Sequence, residues 1–66
     1  NSVSDAGVGV LAARAAVLGA GLNVKINASG LKDKEKAEHL VAEANKLIAQ
    51  ANEAEAEIMK IVEAKL

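Results

Sequence analysis

The chain has 66 residues, a net charge of −1 at pH 7, and no Cys, Pro, Phe, Tyr or Trp. Without Cys there is neither a disulfide framework nor a thiolate metal site. Without a basic excess or aromatic stacking groups there is no footprint for nucleic acid. Any core must rest on Ala, Val, Leu and Ile, which suits closely packed helices, and chains this short ordinarily lean on disulfides, a metal or oligomerisation.

The first predicted element runs from Ser4 to Asn27. Asn1 to Val3 read as a lead-in, and Ser4 and Asp5 as N-cap residues whose side-chain oxygens can accept orphan backbone N–H groups. The segment is nearly all apolar or small, with single charges at Asp5, Arg14 and Lys25. A helix apolar on every side must be wrapped by other elements. Gly7 and Gly9 each cost a helix about 1 kcal/mol against Ala, so they point to close approach of another backbone or a ligand. Their spacing brushes against a dinucleotide fingerprint, but that motif follows a strand, and six residues leave no room for one.

From Gly9 a row of small residues recurs at helical spacing through Ala13, Ala16 and Ala20 towards Asn23 and Asn27. Val10, Leu11, Val17, Leu18 and Val24 fill the other side. The small row is therefore the side expected to meet a neighbouring helix closely. Arg14, if buried, needs a carboxylate partner or a route to solvent. Arg14 and four glycines also interrupt what would have to be about 20 consecutive apolar residues in a membrane span. No basic segment precedes the apolar run, as a signal peptide would require, so no membrane partner is expected.

Leu22 to Asn27 alternates apolar with polar, the period of a strand. A lone strand has nothing to pair with, so the helix is expected to continue to about Asn27. Ala28, Ser29 and Gly30 then make the turn, with Gly30 as the stop. Asn27-Ala28-Ser29 has the form of a glycosylation sequon, discounted because no secretory signal accompanies it.

Asp33 is the predicted N-cap of a second helix, with Glu35 complementing its dipole. This helix can run to the end of the chain, about 50 Å. Ala37, Leu40, Ala44, Leu47, Ala51, Ala54, Ile58 and Ile61 repeat at spacings of three and four, widened by Val41, Ile48 and Val62, while Lys and Glu fill the rest. This is the seam of a bundle helix, and the first helix is too short to cover it. The fold class is therefore all-α: an apolar central helix plus a long amphipathic helix, a fragment of a multihelical bundle that is expected to be a homo-oligomer.

Candidates for chemistry are few. His39, with Glu35 and Glu43 one turn to either side, has the outline of a metal site, but the heptad puts it on the solvated face, and no metal is expected. Glu53, Glu55 and Glu57 likewise read as a solvated face. Asp5, Asn23 and Asn27 differ, because they sit at the ends of the apolar segment. Their structural reading is capping, with Asp5 starting the helix and Asn27 ending it. Their functional reading is that Asn23 and Asn27, one turn apart, hydrogen-bond a polar ligand.

Taken in order, Ser4-Asp5-Ala6-Gly7-Val8, the small-residue helix, Leu22-Asn23-Val24-Lys25-Ile26-Asn27, and Lys32-Asp33 opening a long charged helix resemble the C-terminal part of the formiminotransferase-cyclodeaminase and methenyltetrahydrofolate cyclohydrolase family. The resemblance covers essentially the whole chain. It implies a cytoplasmic, dimeric, all-helical enzyme of folate one-carbon metabolism, with a buried central helix and a tetrahydrofolate derivative as substrate rather than a covalent cofactor. It also implies that residues 1–66 are the C-terminal segment of one domain whose N-terminal part is absent, so that the chain is inactive by itself. On that reading Asp5 is the candidate acid–base or orienting group, and Asn23 and Asn27 are the substrate contacts. The alternative is a non-catalytic helical interaction module held by its long seam.

Overall fold

A computed structural model describes residues 2–66. Two helices, α1 (Ser2–Ala28) and α2 (Lys34–Lys65), fold into an antiparallel hairpin of 50 × 14 × 10 Å. No strand occurs among the described residues, so Leu22 to Asn27 is helical. The chain is all-α, as its residue pattern predicted.

Helix α1 includes Ser2 and Val3, so Ser4 and Asp5 are not the N-cap; Asn1 lies outside the described residues. Asp5 sits in the first turn, where its carboxylate still complements the positive end of the helix dipole. At the other end Ser29 N–H donates to Lys25 O at 3.2 Å, Gly30 N–H to Asn27 O at 3.2 Å and Leu31 N–H to Ala28 O at 3.1 Å. The Ser29 hydroxyl donates to Ile26 O at 2.6 Å. This tightened last turn satisfies the orphan carbonyls. No glycine among the described residues has positive φ, so Gly30 ends the helix without the left-handed conformation that usually selects glycine there.

Asp33 caps α2 as its position predicted. Its backbone is extended, and its Oδ1 accepts from Lys36 N–H at 3.0 Å. Replacing Asp33 with Ala is expected to destabilise the hairpin by about 1 kcal/mol, read as a lowered thermal midpoint in circular dichroism. Asp33→Asn, which keeps the acceptor, should recover most of it.

The helices meet along one edge of the stripe predicted on α2, and on α1 along a line other than the predicted small-residue row. On α2, Ala44 and Val62 are buried, and Ala37, Leu40, Val41, Ile48, Ala51, Glu55 and Met59 are half-buried. Leu47, Ala54, Ile58 and Ile61, expected in the seam, are exposed. On α1 the buried positions are Gly7, Gly21 and Ala28, while Gly9, Ala13, Ala16 and Ala20 are exposed.

Steric fit explains the shift. A Cβ at Gly21 would lie 2.7 Å from Ile48 Cδ1, and one at Gly7 would lie 3.4 Å from Val62 Cγ1 and 3.6 Å from Met59 Sδ. These two glycines are notches that receive the long side chains of α2, which fixes the rotation of both helices. At Gly9 and Gly19 a Cβ would meet nothing within 4 Å. The close approach inferred from glycine is therefore present, but at positions 7 and 21 rather than along the row from Gly9.

Candidate functional site

Asp5, Asn23 and Asn27 are all exposed on α1. Asp5 and Asn23 are 18 residues apart, five full turns, so they share one line along the helix about 27 Å apart at 1.5 Å per residue. Asn23 and Asn27 are one turn apart on neighbouring lines. The structure thus brings the two amides together and leaves the carboxylate at the far end. A single copy of the hairpin cannot place Asp5 and the amides on one small reacting centre.

Three concavities flank the helix pair. One of about 420 Å³ runs along the middle, lined by Val17, Ala20 and Val24 from α1 and Ala44, Leu47 and Ala51 from α2. Another, of about 290 Å³, lies near the free ends beside Ala6, Ile58 and Ile61. The largest, about 550 Å³, sits at the turn and is more polar, with Lys25, Ser29, Lys34, Glu38 and Asn45 on its walls. None of the three is lined by Asp5, Asn23 or Asn27.

Arg14 is half-buried against α2, and its Nε–H donates to Asn52 Oδ1 at 2.6 Å. The partner is a neutral amide and not a carboxylate, and the half-buried side chain keeps the route to solvent that was the other expected outcome. This polar bridge joins the helices midway between the two glycine notches and helps define their register. A double-mutant cycle of Arg14→Ala and Asn52→Ala is expected to give a coupling of about 1 kcal/mol; a coupling near zero would leave register to the glycine notches.

The remaining sequence candidates lie on the charged surface. His39, Glu35 and Glu43 are exposed on α2, as are Glu53 and Glu57. Glu55 is half-buried because it falls on the observed contact line, which displaces it from the solvated face it was assigned to. Among the described residues no group of three or more His, Cys, Asp or Glu is arranged to hold a metal. By length and hydropathy α1 could cross a membrane; the same properties mark a helix destined for the inside of a bundle.

Comparison with known proteins gives the chain a family. The chain is 42% identical over all 66 residues to the methenyltetrahydrofolate cyclohydrolase of Methylorubrum extorquens, and it spans 32% of the length of that curated relative. No solved structure matches it. The sequence model of formiminotransferase-cyclodeaminase matches residues 1–46, which takes in the whole of α1, the turn and about the first two fifths of α2. These residues carry the order of features noted above, from the Ser4-Asp5 start to the charged second helix, and the chain belongs to the formiminotransferase-cyclodeaminase family.

Proposed function

We propose that this chain is the C-terminal segment of a cytoplasmic enzyme of folate one-carbon metabolism that hydrates 5,10-methenyltetrahydrofolate. The observation that carries this reading is the 42% identity, over all 66 residues, to a methenyltetrahydrofolate cyclohydrolase. The family's other named chemistry, cyclodeamination of a formimino group, meets the same methenyl centre from the opposite direction and is the second activity to assay. The apolar surface of α1 supports the view that more polypeptide completes the domain. Val8, Leu22 and Ile26 are each at least 59% exposed, and further helices of a chain three times this length would cover them.

In the hydration, the water oxygen attacks the bridging carbon between N5 and N10. The carbon–oxygen bond forms, the carbon–N5 bond breaks with its electron pair passing to N5, and the product is the 10-formyl form. One of the two water protons ends on N5 and the other leaves to a base or solvent. Asp5 is assigned as the acid–base or orienting group for that transfer. Asn23 and Asn27 are assigned to hydrogen-bond polar edges of the folate, with no covalent cofactor. Given the spacing along α1, the carboxylate and the amides serve different parts of the substrate or different copies of the site.

Titration of the intact, cyclohydrolase-length protein with 5,10-methenyltetrahydrofolate, followed by loss of methenyl absorbance, tests the reading. Saturable binding and turnover support it. A protein that associates through its helices yet shows no specific folate binding is instead the interaction module.

A further inference from the structure

The two glycine notches are filled by different chemistry. Gly21 receives Ile48, a hydrocarbon side chain that is inert to mild oxidants. Gly7 receives Val62 and Met59, whose Sδ lies 3.6 Å from where a Cβ at Gly7 would stand. The chain has one Met and no Cys, so this thioether is its single oxidisable sulfur.

The surroundings of that sulfur are apolar. With Gly7 against Val62, three residues on along α1 and three back along α2 set Val10 opposite Met59, and both are half-buried. Gly7, Val10 and Val62 offer no side-chain hydrogen-bond donor, and the backbone N–H groups here are committed within their helices. This end of the seam is nonetheless open to small molecules. The concavity of about 290 Å³ beside it is walled by Val3, Ala6 and Val62.

We propose that Met59 is a redox modification site, and that its oxidation by a hydroperoxide releases the Asp5 end of α1 from α2. A lone pair on Sδ attacks one peroxide oxygen. The sulfur–oxygen bond forms, the oxygen–oxygen bond breaks, and the other oxygen leaves, protonated, as water or an alcohol. Sulfur loses two electrons and the peroxide gains them. The sulfoxide is polar and a strong acceptor, and in the Gly7 notch it meets no donor, which favours separation of the helices. The Gly21 notch and the Arg14–Asn52 bond are untouched, so the hairpin opens from its free end while the turn end stays closed. Asp5 lies two residues before Gly7 in the first turn and moves with the released segment. Modification and release stand on the packing of this chain alone. A consequence for turnover rests on the acid–base role assigned to Asp5.

Treatment of the cyclohydrolase-length protein with hydrogen peroxide tests the proposal. Met59 is expected to gain about 16 Da as the sulfoxide, located by peptide mass spectrometry. The thermal midpoint should fall by about 5 °C. Amides of residues 6–10 should exchange hydrogen about tenfold or more faster, while those of residues 18–25 stay nearly as they were. A methionine sulfoxide reductase should restore both. Met59→Leu, close in volume, should keep its midpoint and exchange through the same treatment, which separates Met59 from methionines elsewhere in the protein. Met59→Gln, polar and of similar length, should show the faster exchange without peroxide. Met59 left unoxidised while free methionine in the same solution reacts, or oxidised with no change in exchange at residues 6–10, would overturn the proposal. Absence of folate turnover before any treatment would instead strike the proposed function, and the exchange result would still decide the role of Met59.

Discussion

Replacing Asp5 with Asn in the cyclohydrolase-length protein is expected to lower methenyl-folate turnover by about 10²–10⁴-fold, the usual contribution of a positioned acid–base group. The substitution keeps the size and one oxygen of the side chain and removes its ability to take or give a proton. Asp5 is exposed in the first turn of α1, so losing its charge should lower helix stability by no more than about 1 kcal/mol. Helicity and assembly should survive. A fall in kcat with little change in KM would mark a group acting in the transition state. An equal rise in KM would move Asp5 to substrate binding, and unchanged turnover would remove it from the mechanism.

Gly21→Leu is expected to destabilise the hairpin by about 1–3 kcal/mol, whereas Gly19→Leu, two residues away, should be neutral or stabilising by up to about 1 kcal/mol. Both replacements gain helix propensity. Only position 21 lies under Ile48, whose Cδ1 is 2.7 Å from where a Cβ would stand. Ile48 can retreat a little from a methyl group, because its end is flexible, but a leucine there separates the helices. In a unit as small as this, such a change is a large share of the total stability. Thermal unfolding of the two variants side by side measures the difference. Equal midpoints would mean that the notch does not hold the helices together.

The two predictions test different layers of the protein. The glycine pair concerns how α1 and α2 find one rotation, and the answer is local to the hairpin. The aspartate concerns chemistry that needs the rest of the domain. Loss of turnover without loss of helix would separate them cleanly, as would loss of helix at Gly21→Leu with Asp5 intact.

Much of the architecture was legible in the residues themselves. The apolar run, the Ser29-Gly30 break and the Asp33 cap placed both helices to within a few residues, because propensity and capping act through near neighbours. The family was legible for the same reason: its features lie in linear order along α1 and the turn. What the residues could not settle was rotation. A helix apolar all round offers no preferred face, so nothing local told Gly7 and Gly21 apart from Gly9 and Gly19, or chose between the two overlapping stripes of α2. That choice was made by Ile48, Val62 and Met59 finding the notches that admit them, a contact between residues 27 to 55 positions apart. The same packing paired Arg14 with Asn52, drew Glu55 towards the seam and left Leu47 and Ile61 on an open flank. Composition and periodicity decided that this chain is two helices seeking partners. Steric fit between distant side chains, available only in the folded hairpin, decided which faces remain for those partners to cover.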